Sequence, residues 1–294
     1  MRSIRNFQRW AALALAVSNN SQRSTLVSAF GSRQVNMNQF GSSAVALRKM
    51  TSSSSEEAVS APGAIVGPEL PPIPPMSKRI FLVRHGEVIN PGGDRPVFYG
   101  AMDVPLSPLG EDEAKAAGQY LKQFDLDLIV SSPLSRAIFG AEKVKEKQLN
   151  QNNDKKDIVI LDGFKELDRG SWCGLTKDEI GEENMARFDA CDESITPDGG
   201  ESYNFLKKRV IEARDEVLQQ TSAGKAAAIV SHLQVTRSIV SEAKDIPTNQ
   251  MVNIPIATAS VTCIDYDMVT GTETVQFESF KPDVGLQQSV DGAN

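Results

Sequence analysis

The chain has 294 residues, 40% of them hydrophobic and 23% charged, which is enough to bury one sizeable core or two. No apolar run approaches the roughly 20 residues that a membrane-spanning helix needs, so an integral membrane segment is not expected. A net charge of −7 argues against a general nucleic-acid binder, and two histidines with three scattered cysteines make neither a zinc site nor a disulfide framework, so neither metal nor cofactor is expected.

The charge is unevenly spread. Residues 1–50 carry seven basic side chains and no acid, so of the 31 Lys+Arg and 38 Asp+Glu in the chain the remainder keeps 24 and 38, a net −14. Ile4, Phe7 and Ala11 recur at helical spacing opposite Arg2, Arg5 and Arg9. An acid-free, Arg-rich amphipathic segment of this kind reads as a disordered targeting peptide, with the mitochondrion as the expected address. Plastid import and a secretory signal ending near Ala29 are the competing readings, and a tail without an address would leave the chain in the cytoplasm. Residues 51–76 hold a Ser run and six of the fifteen prolines, and read as an extended, unpacked linker. The folded domain is expected over 77–282, with a disordered tail over 283–294.

Within that domain Lys78 to Val83 is a short apolar run ending at Arg84-His85-Gly86, consistent with a buried strand. Ser107-Pro108 opens a helix, with a capping Ser, Pro at the first position and Glu111, Asp112 and Glu113 in the early turns. Leu126 to Val130 is the second strand, followed by Ser131-Ser132-Pro133 and a helix with Ala137, Ala141 and Val144 on one side. Ile158 to Leu161 reads as a third strand, Glu201 to Gln219 as a long helix, Ala226 to Val230 as a fourth strand ending at Ser231-His232, and Val235 to Ala243 as a helix. Ser260 to Tyr266 and Glu273 to Phe280 close the chain as a hairpin. Strands alternating with helices imply an α/β fold, three layers with a central, mainly parallel sheet. Ligands bind beyond the carboxyl ends of such strands, and both histidines stand there. A lone histidine is more often structural than catalytic, but the whole allotment of two at matching strand ends points to one site.

The segments LVRHGEVIN (82–90), VPLSPLG (104–110), SSPLSRA (131–137), KELDRGSWCGLT (165–176), PDGGESY (197–203) and IVSH (229–232) resemble, in order, the histidine phosphatase superfamily, the phosphoglycerate-mutase-like branch. The resemblance implies the phosphoglycerate-mutase-like fold and a phosphatase acting on phosphate monoesters through a phosphohistidine. His85 would be the nucleophile and Glu166 the proton donor, with Asp168 as the fallback acid. Arg84, Asn90, Arg136 and His232 would bind the phosphate. Arginine suits this task because its planar fork keeps its charge and donates bidentate bonds to phosphate oxygens. Arg95 is a further candidate for substrate contact, Glu87 reads as an orienting carboxylate, and Leu233-Gln234 departs from the Gly that many relatives carry there.

Mutases of the family tend to have a longer insertion before the second histidine and an Arg after the acid. Here Leu167 follows Glu166, and 66 positions separate Glu166 from His232, which favours hydrolysis of a small phosphorylated metabolite or a phosphoprotein. A mutase-type phosphotransferase and a non-catalytic phosphate- or protein-binding member of the fold are the alternatives. The sequence specifies neither the substrate nor the oligomeric state.

Overall fold

A computed structural model of the chain describes residues 67–148 and 157–283. The basic segment expected to be a targeting peptide, the first part of the linker, residues 149–156 and the tail from 284 lie outside the described residues. Six strands form one sheet in the order β3-β2-β4-β1-β5-β6: β1 (Ser77–Arg84), β2 (Leu126–Ser131), β3 (Ile158–Ile160), β4 (Ala226–Ser231), β5 (Val261–Asp267) and β6 (Glu273–Phe280). β1 to β4 run parallel, and the closing hairpin β5–β6 adds two antiparallel strands beside β1. The expected α/β/α architecture is the one found.

The continuous apolar runs of β1 and β4 reflect burial on both faces. Ile80 and Leu82 face α5 (Tyr203–Gln220) and α6 (Leu233–Ala243), where they join Leu206, Val210, Val235 and Ile239. Phe81 and Val83 face α1 (Pro108–Leu121) and α2 (Ser135–Gln148), where they meet Ala117, Leu121, Ala137 and Ala141. Two cores thus clamp the sheet, and the side-chain period of two assigns the four apolar residues Ile80 to Val83 of β1 alternately to one and the other. Among the described residues no helix is long and apolar enough to cross a membrane.

Several expectations are refined. α5 starts at Tyr203 rather than Glu201, because Ser202 accepts a hydrogen bond from the Phe205 N–H and caps it. α6 starts at Leu233 rather than Val235, which makes His232 its N-cap residue. Glu113 does not serve the helix dipole from the surface: it is buried, and its carboxylate accepts from the Glu87 N–H at 2.8 Å and meets Lys281 Nζ at 2.6 Å. Between β3 and α5 the chain forms two unforeseen short helices, α3 (Lys177–Ile180) and α4 (Glu182–Asp189).

The described part of the Pro-rich stretch is packed, contrary to the unpacked linker expected there. Leu70 and Ile73 lie against the Phe81 core, and the Pro71 carbonyl accepts from Arg79 Nη2 at 3.0 Å. Proline restricts the unfolded chain, so little conformational entropy remains to be lost when two half-buried apolar side chains dock. The folded unit therefore already includes Gly67. Truncating both to Ala should lower unfolding stability by about 1–2 kcal/mol, measured as a shift in urea midpoint; an unchanged midpoint would mean that the segment does not dock.

Candidate active site

Parallel pairing of β1 with β4 sets Arg84 opposite Ser231, so the residues that follow, His85 and His232, emerge side by side. Their ring centroids are 5.1 Å apart, and the His85 N–H donates to the Ser231 carbonyl at 2.9 Å. The Gly of RHG is required by close approach: a Cβ on Gly86 would run into the Gly110 backbone, and one on Gly110 into the Glu87 backbone. Here the loop that carries His85 lies directly on the first turn of α1. Ser107 adds a second tie, its hydroxyl donating to Glu87 Oε2 at 2.7 Å and its N–H to the Glu87 carbonyl at 3.0 Å.

His85 Nδ1 lies 2.7 Å from the Gly86 carbonyl, which can only accept, so Nδ1 carries the proton and Nε2 the lone pair. Nε2 is buried and has no partner. Burial first, then the charges of Arg136 and Arg84, hold this imidazole well below its ordinary pKa and so keep it neutral. His232 Nε2 lies 2.7 Å from Ser132 Oγ, and its Nδ1 is buried without a partner. Burial, followed by Arg136, His85, Arg84 and Arg209, lowers its pKa in the same way.

The arginines come from β1 and α2. Arg84 ends β1, and its Nη1 donates to the Ile256 carbonyl at 2.6 Å. Arg136 stands in the first turn of α2, whose N-terminus is held by Asp103, Oδ1 of which accepts from the Ser135 N–H at 2.8 Å. Its fork is aimed by the Met102 and Gly100 carbonyls at 2.6 and 2.8 Å, with the Tyr99 ring 5.4 Å beneath, while its Nε has no partner. Glu166, also buried, accepts from the Leu167 N–H at 2.7 Å and the Gln234 N–H at 3.2 Å. The second bond fastens the acid to the same helix terminus that carries His232. Two guanidinium groups, two neutral imidazoles and one carboxyl thus meet beyond the ends of β1, β2 and β4.

Two histidines kept neutral make stability depend on pH. From about pH 6.5 down to the lowered values, the unfolded chain takes up protons that the fold refuses, so stability falls as pH falls. The expected slope is about 1.4 kcal/mol per pH unit for each histidine. Urea midpoints between pH 7.5 and 5.5 should decline more steeply for the native chain than for a His85→Gln/His232→Gln variant, and parallel declines would refute the effect.

Residues 80–276 match the model of the histidine phosphatase superfamily, branch 1. The chain belongs to that superfamily. Among curated relatives, a 2,3-bisphosphoglycerate-dependent phosphoglycerate mutase of Cytophaga hutchinsonii is 28% identical over 202 residues, 67% of this chain and 92% of that protein. Phosphoserine phosphatase 1 of Hydrogenobacter thermophilus is 32% identical over 169 residues, 55% of this chain and 74% of that protein. Among solved structures, Bacillus stearothermophilus YhfR superposes with a TM-score of 0.60 at 28% identity, covering 69% of this chain and 97% of that one. Membership supports phosphotransfer of the phosphatase or mutase type.

Of the residues that the superfamily resemblance implied, His85, His232, Arg84, Arg136 and Glu166 converge. Asn90 does not: it is half-buried, its Nδ2 donates to the Arg95 carbonyl at 2.8 Å and its Oδ1 accepts from the Gly92 N–H at 2.9 Å, so its amide is spent on its own turn. Arg95 is exposed and pairs with Glu179 at 2.5 Å. Asp168 accepts from the Gly170 N–H at 2.9 Å and shapes the loop around the acid. Leu233, where many relatives carry Gly, puts its side chain in the core, and the Gln234 N–H goes to Glu166.

One residue is not singled out by the sequence. Arg169 is buried, with its guanidinium 4.5 Å from the Phe98 ring and 5.3 Å from that of Phe188, and its Nη1 has no partner. An Arg after an Asp and before a Gly, at the end of KELDRG, is the available signal.

Proposed function

We propose that this chain is a phosphatase that hydrolyses phosphate monoesters through a phosphohistidine on His85. The observation that carries the reading is the His85 ring: its Nδ1 proton is committed to Gly86, and its lone-pair nitrogen is buried, neutral and without a partner beside Arg84, Arg136 and His232. In the first step Nε2 forms a bond to phosphorus, the ester P–O bond breaks, and the leaving alkoxide takes the proton of Glu166. In the second, Glu166 as carboxylate takes a proton from water, the water oxygen bonds to phosphorus, and the N–P bond breaks to release phosphate. Arg84, Arg136 and His232 hold the non-bridging oxygens, where charge must be stabilised during transfer.

Hydrolysis rather than mutase action is supported by Leu167. This side chain, beside the acid, is buried in the core and presents no charge to a second anionic group. The substrate is a small phosphorylated metabolite or a phosphoprotein, and the names of the relatives make phosphoserine and phosphoglycerate the first to try. The test uses the full chain with an aryl phosphate. Phosphate release, together with an acid-labile phosphoenzyme, supports the reading; interconversion of phosphoglycerate isomers faster than phosphate release favours the mutase; no turnover across pH 5 to 8 and no trapped intermediate favours a binding role. The basic segment 1–50 is further proposed to direct the chain to the mitochondrion, and imaging a fusion of residues 1–60 to a fluorescent protein decides between that organelle, the plastid and the cytoplasm.

A further inference from the structure

Glu166 lies on an irregular stretch between two 3-10 turns, Asp162–Phe164 and Gly170–Trp172, and three carbonyls of this loop converge on one side chain. Arg209, on α5, donates through Nη1 to the Gly163 and Lys165 carbonyls at 2.9 and 2.8 Å, and through Nη2 to the Glu166 carbonyl at 3.2 Å. Its Nε donates to Glu201 Oε2 at 2.9 Å, and its Nη2 donates to Glu201 Oε1 as well. Glu201 holds the other side of the same loop: Oε1 accepts the Asp168 N–H at 3.0 Å, and its own N–H donates to the Asp168 carbonyl at 3.0 Å. The backbone is therefore held on both flanks of Glu166, by Arg209 of α5 and by Glu201 just before the α5 N-cap. All five N–H groups of the guanidinium fork have acceptors in this arrangement, an arrangement that an ammonium with three donors and no plane would not reproduce.

We infer that Arg209, with Glu201 as its counter-ion, is a positioning residue for the proton donor. It reaches main-chain carbonyls and not the reacting atoms, and it acts by fixing where the Glu166 carboxyl sits relative to the leaving oxygen. Proton transfer demands hydrogen-bond reach, and a displacement of about 1 Å can cost roughly a hundredfold in rate. The side-chain bonds of Glu166 to the Leu167 and Gln234 N–H groups complete the hold only if the backbone beneath them is already in place. A second consequence follows from charge, because Arg209 is among the cations that keep His232 neutral.

The inference rests on the reading of Glu166 as proton donor, and the test separates the two. In the full chain, kcat/KM reports steps through the first phosphoryl transfer, before water attacks. A nitrophenyl phosphate has a leaving group that departs without a proton, whereas an alkyl phosphate requires one. Arg209→Met is expected to lower kcat/KM at least tenfold on the alkyl ester and less than about threefold on the nitrophenyl ester, with Arg209→Lys recovering part of the difference. Lys208→Met, one exposed position away, should change neither. Glu201→Gln, which keeps the shape and weakens the ion pair, should show the same selectivity to a smaller degree, and it carries the test if Arg209→Met does not fold. Equal losses on both esters, or no loss on either, would overturn the positioning role. If Glu166→Gln itself shows no leaving-group selectivity, the donor assignment falls and the positioning role with it; selectivity in Glu166→Gln but not in the Arg209 and Glu201 variants removes the positioning role alone.

Discussion

Replacing His85 with Gln is expected to abolish the phosphoenzyme and lower kcat/KM by about 10⁴-fold or more, the scale seen when a covalent nucleophile is removed. Gln approximates the size of the ring and can still donate to the Gly86 carbonyl, so the loss reports the missing nucleophilic nitrogen rather than a collapsed loop. The measurement is trapping of acid-labile phosphate on the native and variant chains, with steady-state rates on an aryl phosphate. Activity within a hundredfold of the native chain, or phosphate trapped on another side chain, would remove His85 from that role. The same geometry sets a pH expectation. Because burial and the neighbouring arginines hold His85 well below its ordinary pKa, kcat/KM should not begin to fall through protonation of the nucleophile until the pH is well below 6.5. An acid limb centred at 6.5 or above would contradict a buried, neutral imidazole.

Glu166→Gln is expected to have the second-largest effect, a loss of about 10² to 10⁴ in kcat/KM on alkyl phosphates, the range for removal of a general acid. The loss should shrink as the leaving group becomes a weaker base, because such a group departs without the proton. The amide preserves the acceptor oxygen that one of the Leu167 and Gln234 N–H groups uses, so α6 should keep its start. Circular dichroism and urea midpoints check that point. An equal loss across leaving groups would mean that the substitution has disturbed the phosphate pocket instead, and would move the donor role to another carboxyl.

Much of this site is legible in the residues themselves, for definite physical reasons. Buried parallel strands require continuous apolar runs, so the ends of β1, β2 and β4 stand out where those runs stop at RHG, SSP and SH. The helix start at Ser107-Pro108 carries its own capping chemistry. By contrast, α3 does not stand out although Thr176 and Glu179 form a capping box; four residues are too few to show a helical period. Packing of Leu70 and Ile73 is hidden because prolines announce an extended backbone and do not say whether that backbone touches anything. Asn90 matches the superfamily pattern by type, but its turn with Gly92 and Arg95 decides where its amide goes. Glu113 looks like one more acid in a helix start, and only the arrival of Lys281 from the far end of the domain makes it a buried partner.

The sequence by itself determined the α/β class, the strand ends that bear chemistry, and the family to which 80–276 belongs, because hydrophobic period and ordered motifs are local properties of the chain. Tertiary structure alone decided the rest. Register between β1 and β4 brings two histidines 147 positions apart to within 5.1 Å, the Gly86 carbonyl selects which nitrogen of the His85 ring keeps its lone pair, and burial among arginines keeps both rings neutral. The Arg209–Glu201 clamp on the acid loop belongs to the same class. Such features depend on contacts between segments distant in the chain, and neither residue type nor spacing encodes them singly.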